Sequence, residues 1–384
     1  MKKILVPLWA LGAIALFFYS FTQIDLSLTF SRVSVWQGIQ KAFQYVGYFN
    51  RPLSAYLFVG IVLFLFFLYG ATLKLAKENV LRSKTLWIII IGLCIALFLS
   101  YNAFSYDIFN YIFDAKILVH YGQSPYEHKA LDYPGDPMLS FMHWTHRTYP
   151  YGPFWLVLTV PLYFIGFGYF IVTFYLFKLL MLGSFLGSAF FIEKIAKKLK
   201  KNSLMVLAAF ALNPLVIIES LVSSHNDIVM IFFSLVALYL FLEKKYIKSV
   251  ISLTLSIAIK FATALLLPAI IAKMVFKVKD ELFIYLMIVG MAIGVFLASY
   301  RTTFQPWYLI LVIPFAALLV EKKFVAIPVF IISLFGLFQY VPYLYLGNWD
   351  PPVPMYLNYM LYGSIILSGI LILPSLLQKK KSKR

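Results

Sequence analysis

Charge is scarce in this sequence, and negative charge scarcest. Only 12% of the 384 residues are charged, and 15 aspartates and glutamates stand against 33 lysines and arginines. A soluble domain carries about twice that charged fraction, so a mostly water-facing surface is excluded. Cysteine is nearly absent. Cys94 is the single one and sits in an apolar run, which rules out an intramolecular disulfide. No internal repeat and no disordered linker beyond the short tail interrupts the chain, so it reads as one membrane domain.

What fills the sequence instead is hydrocarbon: 62% hydrophobic residues, 19% aromatic. Apolar runs recur at 4–22, 52–72, 86–104, 154–177, 179–192, 203–219, 227–243, 248–272, 282–300, 306–320, 324–343 and 357–377. Many approach the roughly 20 residues needed to cross a bilayer. The fold class predicted is an all-α polytopic membrane protein with about ten to twelve transmembrane segments. A net charge of +18 raises the question of nucleic acid. Its placement answers no: the lysines sit in short connectors (Lys74, Lys77, Arg82, Lys84; Lys194 to Lys201; Lys322, Lys323) and in the tail, as expected for positive charge held inside.

Lys2 and Lys3 place the N-terminus inside, and the apolar run behind them reads as an uncleaved signal anchor. The segment 23–51 then lies outside, with Val33, Trp36, Ile39, Phe43 and Val46 at helical spacing on an interfacial helix. The loop 105–153 falls outside after the third span, and so do Arg301 to Trp307 and 344–355. Between that loop and the lysines of 194–201 an odd number of crossings is required, although 154–192 is long enough for two short helices. The run 248–272 lies between two basic connectors, so a hairpin broken near Lys260 is predicted there. The alternative is twelve full crossings with lysines 194–248 outside.

The loop 105–153 holds four of the five histidines (His120, His128, His143, His146) and five of the fifteen acids (Asp107, Asp114, Glu127, Asp132, Asp136). On a helix starting after Ser105, Asp107, Tyr111, Asp114 and Leu118 share one stripe. A carboxylate against an apolar wall can serve as general base; alternatively, Asp107 merely favours the helix start. Lys116 and Lys129 are candidate partners for Asp114. Gly122-Gln123-Ser124-Pro125-Tyr126 stops the helix, and Tyr149-Pro150-Tyr151-Gly152-Pro153 leads into the next apolar run. Tyr149 and Tyr151 are interface anchors or sugar contacts, and Arg147 is a candidate phosphate contact. His143 and His146 form an i, i+3 pair, but no third metal ligand stands at a diagnostic spacing. No metal and no cofactor are expected.

Downstream, Asn213-Pro214, Glu219 and Ser223-Ser224-His225-Asn226-Asp227 end apolar runs, where polar clusters are costly and usually functional. Lys260 lies about 12 residues from either end of its run, too deep to snorkel easily, and should face a wet or anionic site. Lys178 is a weaker case, readable as the cytoplasmic end of a segment. Arg301, Gln305 and Trp307 add a cation, an amide and an aromatic ring at another outer mouth. Carboxylates, deep cations and aromatics together suit a lipid-linked anionic sugar donor.

The pattern S-x-D-x-x-x-Y, then D-A, G-x-S-P-Y and Y-P-Y-G-P resembles the GT-C superfamily of membrane glycosyltransferases. More narrowly it is similar to bacterial polyprenyl-phosphate-mannose-dependent mannosyltransferases and the related glycolipid-anchor mannosyltransferases. N-P…E-S…H-N-D, the lone lysine in I-K-F-A-T-A-L-L-L-P and Q-P-W-Y extend the likeness over roughly 86–310. The resemblance implies a GT-C-type architecture, a polyprenyl-phosphate sugar donor, mannose as the sugar, a glycolipid, glycan or protein acceptor, and transfer with inversion. It implies a catalytic aspartate in the first external loop, matched best by Asp107 and next by Asp114. Phosphate contacts fall to Lys260, Arg301 or Arg147, and substrate contacts extend to Tyr111, Tyr149, Tyr151, His225, Asn226, Asp227, Gln305 and Trp307. Monophosphate donors generally need no metal. The implied location is the plasma membrane, in contact with membrane lipid, with the site facing outside. In many members the catalytic loop follows the first helix, whereas here it follows the third, which makes 1–85 an additional helix pair with an external amphipathic segment ahead of a GT-C-like catalytic domain over 86–384. A flippase would share the spans but normally shows paired halves, and a ligase or polymerase would show more arginine and histidine in the outer loops.

Overall fold

The computed structural model describes residues 4–381. Within them the chain forms helices and turns, with no strand. Lys2, Lys3, Lys383 and Arg384, used above to orient the termini, lie outside the described residues.

The N-terminal part runs α1 (Leu5–Ser20), α2 (Ser34–Gln44), α3 (Arg51–Lys77) and α4 (Ser83–Phe98). Helix α2 forms where the spacing predicted a helix, with Trp36 edge-on to Phe21 and Phe43 stacked on Phe18. Helices α1 and α3 are tied by Trp9 Nε1 donating to Thr72 Oγ1 (3.1 Å). Next come α5 (Asp107–Val119), α6 (Pro153–Ile165), α7 (Phe170–Lys198), α8 (Ser203–Ala211), α9 (Pro214–Ile217), α10 (Asp227–Leu242), α11 (Tyr246–Ile257) and α12 (Leu267–Val275). The last part holds α13 (Asp280–Arg301), α14 (Ile313–Ala317), α15 (Lys323–Phe338), α16 (Val341–Leu346) and α17 (Val353–Lys381).

Six stretches among the described residues are long and apolar enough to cross a membrane: Leu5–Gln23, Arg51–Lys77, Phe170–Lys198, Asp280–Arg301, Lys323–Leu346 and Val353–Pro374. A seventh, Ser203–Ala211 with Pro214–Val222, is bent by 53° at its break. There Asn213 caps α9, its side chain accepting from the Leu215 N–H (2.9 Å), and Pro214 fits the first turn. The remaining apolar runs are shorter helices. Twelve residues of α11 rise only about 18 Å, against about 30 Å of hydrocarbon.

Ion pairs sort the connectors into two ends. Lys198 meets Glu243 at 2.7 Å and Lys322 meets Glu281 at 3.3 Å. Glu193 accepts from Trp87 Nε1 (2.9 Å) and pairs with Lys197 (2.6 Å). The basic connectors therefore share one end, and the loop 105–153 lies at the other.

Helix α6 corrects the reading of 154–177 as one apolar span. Its first residues dock on the tip of α11, with Gly152 N–H donating to Ile259 O (3.0 Å) and Phe154 N–H to Ala258 O (2.9 Å). It packs beside α5. After a turn at Gly166–Tyr169, Phe170 packs on Phe109 and Phe141. Both ends of α6 thus stay at the loop end, and α7 alone carries the chain to the basic end. One helix of this stretch, α7, is long and apolar enough to cross, in keeping with an odd number of crossings, and the break falls at 166–169. Hydropathy alone cannot tell a helix lying along an interface from one crossing it.

The hairpin expected near Lys260 is present. Helix α11 ends at Ile257, and a 3₁₀ turn (Phe261–Leu266) leads back through α12. Carbonyls freed by the break are taken up by Gly152 and Phe154. A Cβ at Gly152 would lie 2.2 Å from Ala258 O, so only glycine permits this approach. Lys178 is not at a basic end: it is buried in α7, and its Nζ donates to Ser100 O (2.7 Å) and Ser100 Oγ (2.9 Å).

Candidate active site

Helix α5 starts where Ser105 Oγ accepts the Asp107 N–H (3.1 Å). The predicted stripe forms: Tyr111 Oη reaches Asp107 Oδ2 (3.5 Å), one turn away. Tyr111 is fixed by edge contacts with Tyr151 and Trp155. Two loop motifs clasp each other behind it. Tyr149 N–H donates to Pro125 O (2.9 Å), its hydroxyl donates to Gly152 O (2.9 Å), and Tyr126 Oη reaches Tyr151 O (3.4 Å).

Asp107 stands between two cations. Its Oδ1 lies 3.7 Å from Arg147 Nη2, and its Oδ2 lies 3.5 Å from His225 Nδ1. His225 is fully buried, its ring stacked on Trp307 at 4.2 Å and 17°. Its Nε2 faces Glu219 Oε2 at 3.3 Å, and Glu219 Oε1 accepts from Tyr340 Oη (2.8 Å). Asn226 N–H approaches Tyr111 Oη (3.4 Å). Asp227 opens α10 and takes Lys260 Nζ at 2.6 Å, while that amine also lies over the Tyr151 ring (5.5 Å). Helix start, hairpin tip and broken span thus deliver Asp107, Lys260 and His225 to one place.

Burial and charge set the protonation states. Burial works against ionised Asp107, but His225, Arg147 and Lys260 outweigh it and hold its carboxyl below the ordinary range. Burial pushes Asp114 up to about 8, with the charge of Asp107 adding to the rise and Arg147 offsetting only part. Burial pulls His225 down, yet contacts with Asp107 and Glu219 win and raise it to about 9. At neutral pH the site therefore holds a carboxylate, a carboxylic acid and an imidazolium within one cluster. Several buried polar atoms there (Asp114 Oδ2, Arg147 Nη2 and both amide atoms of Asn226) have no hydrogen-bond partner in the protein. Such groups call for polar company, which a sugar or a phosphate supplies.

Not every sequence-predicted residue joins. Arg301 is exposed at the end of α13 and makes no ion pair among the described residues, and Gln305 donates to its neighbour Thr303 Oγ1 (2.9 Å). Lys116, expected beside Asp114, pairs with Asp136 instead, which also accepts from Tyr121 Oη (2.7 Å). His143 stacks on Tyr106 at 3.7 Å, and no group of three or more potential ligands gathers as a metal site among the described residues. Glu219 was legible in the sequence as a polar residue ending an apolar run, but was given no role there; Tyr340, 121 residues further on, carries no such signal.

Residues 9–276 match the family model for the alpha-(1->6)-mannopyranosyltransferase, N-terminal domain. The chain is also similar to alpha-(1->6)-mannopyranosyltransferase A of Corynebacterium glutamicum, at 25% identity over 197 residues. That match covers 51% of this chain and 39% of the relative, so the chain spans well under two thirds of the relative's length. No solved structure matches. Asp107, Glu219, His225 and Lys260 all fall inside the matched segment, whereas Trp307 and Tyr340 come from beyond it. With the family model covering well over half of its length, this membrane chain belongs to the alpha-(1->6)-mannopyranosyltransferase family.

Proposed function

We propose that the protein transfers a mannosyl residue from a polyprenyl-phosphate donor to a hydroxyl of a glycan or glycolipid acceptor, with inversion at the anomeric carbon. The observation that carries this reading is Asp107, an ionised carboxylate held between Arg147 and His225 beside the Lys260 hairpin tip. Asp107 takes the proton of the acceptor hydroxyl. The acceptor oxygen forms its bond to the sugar C1 as the bond from C1 to the phosphate oxygen breaks. The bonding pair leaves with the polyprenyl phosphate, and Lys260 and Arg147 stabilise the charge gathering there. Asp114, neutral below about pH 8, donates a hydrogen bond instead of accepting the proton.

The site lies opposite the lysine-rich end, and positive charge held inside supports an external-facing site in the plasma membrane. Cys94 is 2% exposed, so introduced cysteines report without background. A cysteine replacing exposed Leu131 should be labelled by a membrane-impermeant reagent on intact cells, and one replacing Lys198 should not. The reverse pattern would overturn the orientation.

The deciding experiment is transfer of radiolabelled sugar from a panel of polyprenyl-phosphate sugars in membranes, wild type against Asp107→Asn. Transfer of mannose that collapses in the variant supports donor and base together. Wild-type membranes inactive with every monophosphate donor, or an active variant, would remove the corresponding half.

A further inference from the structure

His225 touches two carboxylates, but the transfer chemistry uses only one. Asp107 faces Nδ1, and Glu219 faces Nε2. Glu219 is fully buried, its span ends in a π-turn over Ile218–Val222, and one of its oxygens is already held by Tyr340. The other oxygen has no hydrogen-bond donor and is directed at His225. The same residue fixes the histidine twice, because His225 N–H also donates to the Glu219 carbonyl (3.0 Å). A buried carboxylate this deep is costly to maintain, and π-turns inside helices often mark functional sites.

We propose that Glu219 is a positioning residue for this reaction, a fixed counter-ion that keeps His225 charged and aimed at Asp107 throughout the proton transfer. When Asp107 accepts the acceptor's proton its charge disappears, and His225 would be left as a buried cation without a partner. Glu219 keeps the imidazolium paired at that moment, and the face of Trp307 adds a cation–π contact. The imidazolium then neither returns its proton nor turns away, so Asp107 keeps its orientation from one turnover to the next. The groups facing His225 are Asp107 from α5, Glu219 from the turn before it, and Trp307 from the segment after α13. Beyond these stand Arg147 on Asp107, Lys260 on Asp227 and Tyr340 on Glu219.

The inference rests on Asp107 as the base, and the test separates the two. Transfer is measured across pH at saturating donor for wild type, Glu219→Gln, Glu219→Asp and Asp107→Asn. Removing one of two opposite charges should move the alkaline limb of Glu219→Gln down by about one to two pH units. Its activity should recover toward wild type as pH is lowered, with donor KM within about twofold. Glu219→Asp keeps the charge but draws it back, and should shift the limb less. A Glu219→Gln profile that is merely scaled down at every pH would sink the positioning role while a dead Asp107→Asn left the base in place. An active Asp107→Asn would remove the base itself. Should Glu219→Gln not run monodisperse on fluorescence-detected size exclusion, Glu219→Asp alone decides: an unshifted limb rejects the inference.

Discussion

The two ends of this bundle carry the same kinds of ion pair in opposite surroundings. At the basic end Lys198 and Glu243 meet with side chains 47% and 26% exposed, and Lys322 and Glu281 with 34% and 45%. At the site end His225 and Glu219 meet at 0% each, and Asp227, at 2%, takes Lys260. Exposed pairs are screened by water and salt and add little. Buried ones incur a large desolvation penalty and survive where they have a task. On the proposed reading, charge at the basic end fixes which way the chain threads, while charge at the site end is arranged to act on a substrate.

That contrast predicts a ladder of effects. Asp107→Asn keeps the shape of the site but removes the base, and should lower kcat by about 10³-fold or more, since general-base catalysis alone contributes up to about 10⁴. Lys260→Met should follow, at about 10²-fold, through lost stabilisation of the leaving phosphate. It also strands Asp227. Breaking a buried pair costs about 3–5 kcal/mol, and the partial exposure of Lys260 puts the loss at the lower end. The double variant Lys260→Met with Asp227→Asn separates the two: thermal stability should return while transfer does not. Recovery of both would make Lys260 a structural residue.

Protonation gives the next rung. His225, raised to about 9, stabilises the fold while charged, and that contribution is lost as pH rises through 9. Asp114, raised to about 8, binds a proton that the unfolded chain releases near 4, so its contribution also falls as pH climbs toward 8. Asp107 has the opposite sign: its lowered carboxyl favours the folded state above the unfolded value and loses that only as pH falls through the folded one. Melting temperature and transfer should both decline between pH 7 and about 9.5, within the window these two groups set. Asp114→Asn should flatten the stability decline below pH 8 and leave the limb near 9. A decline unaffected by this variant would assign the whole window to His225 or to groups elsewhere.

Sequence reading reached the residues whose chemistry contradicts their surroundings. Asp107, His225 and Lys260 are ionisable groups at the edges or middles of apolar runs, and the structure brings all three together. The hairpin at Lys260 was legible because basic connectors on both sides demanded it. Helix α6 was not, because its composition matches that of a span and only its neighbours, Ala258 and Ile259 at one end and α5 along its length, hold it at the site. The partner of Lys116 was misjudged for a related reason. Helical spacing brings Asp114 near, but the loop folds back to place Asp136 closer, and no local rule reports a contact across 20 residues. Tyr340 reaches Glu219 from beyond the family-matched segment, a contact that only the tertiary fold reveals.

The smallest expected effect is the most direct check on the contrast itself. Glu243→Gln removes the acid of an exposed pair whose cation, Lys198, stands among Lys194, Lys197, Lys200 and Lys201. The glutamate draws Lys198 into a defined position, but water and neighbouring lysines screen the gain, and no buried charge is stranded when it goes. Transfer, donor KM and melting temperature should all match wild type, at low salt and high. If transfer fell while melting temperature held, the α7–α8 and α10–α11 connectors would be coupled to the site through α10, which starts at Asp227 and ends just before Glu243. The two ends would then have to be treated as one electrostatic unit, and the burial of His225 and Glu219 would no longer suffice to explain why the site carries the chemistry.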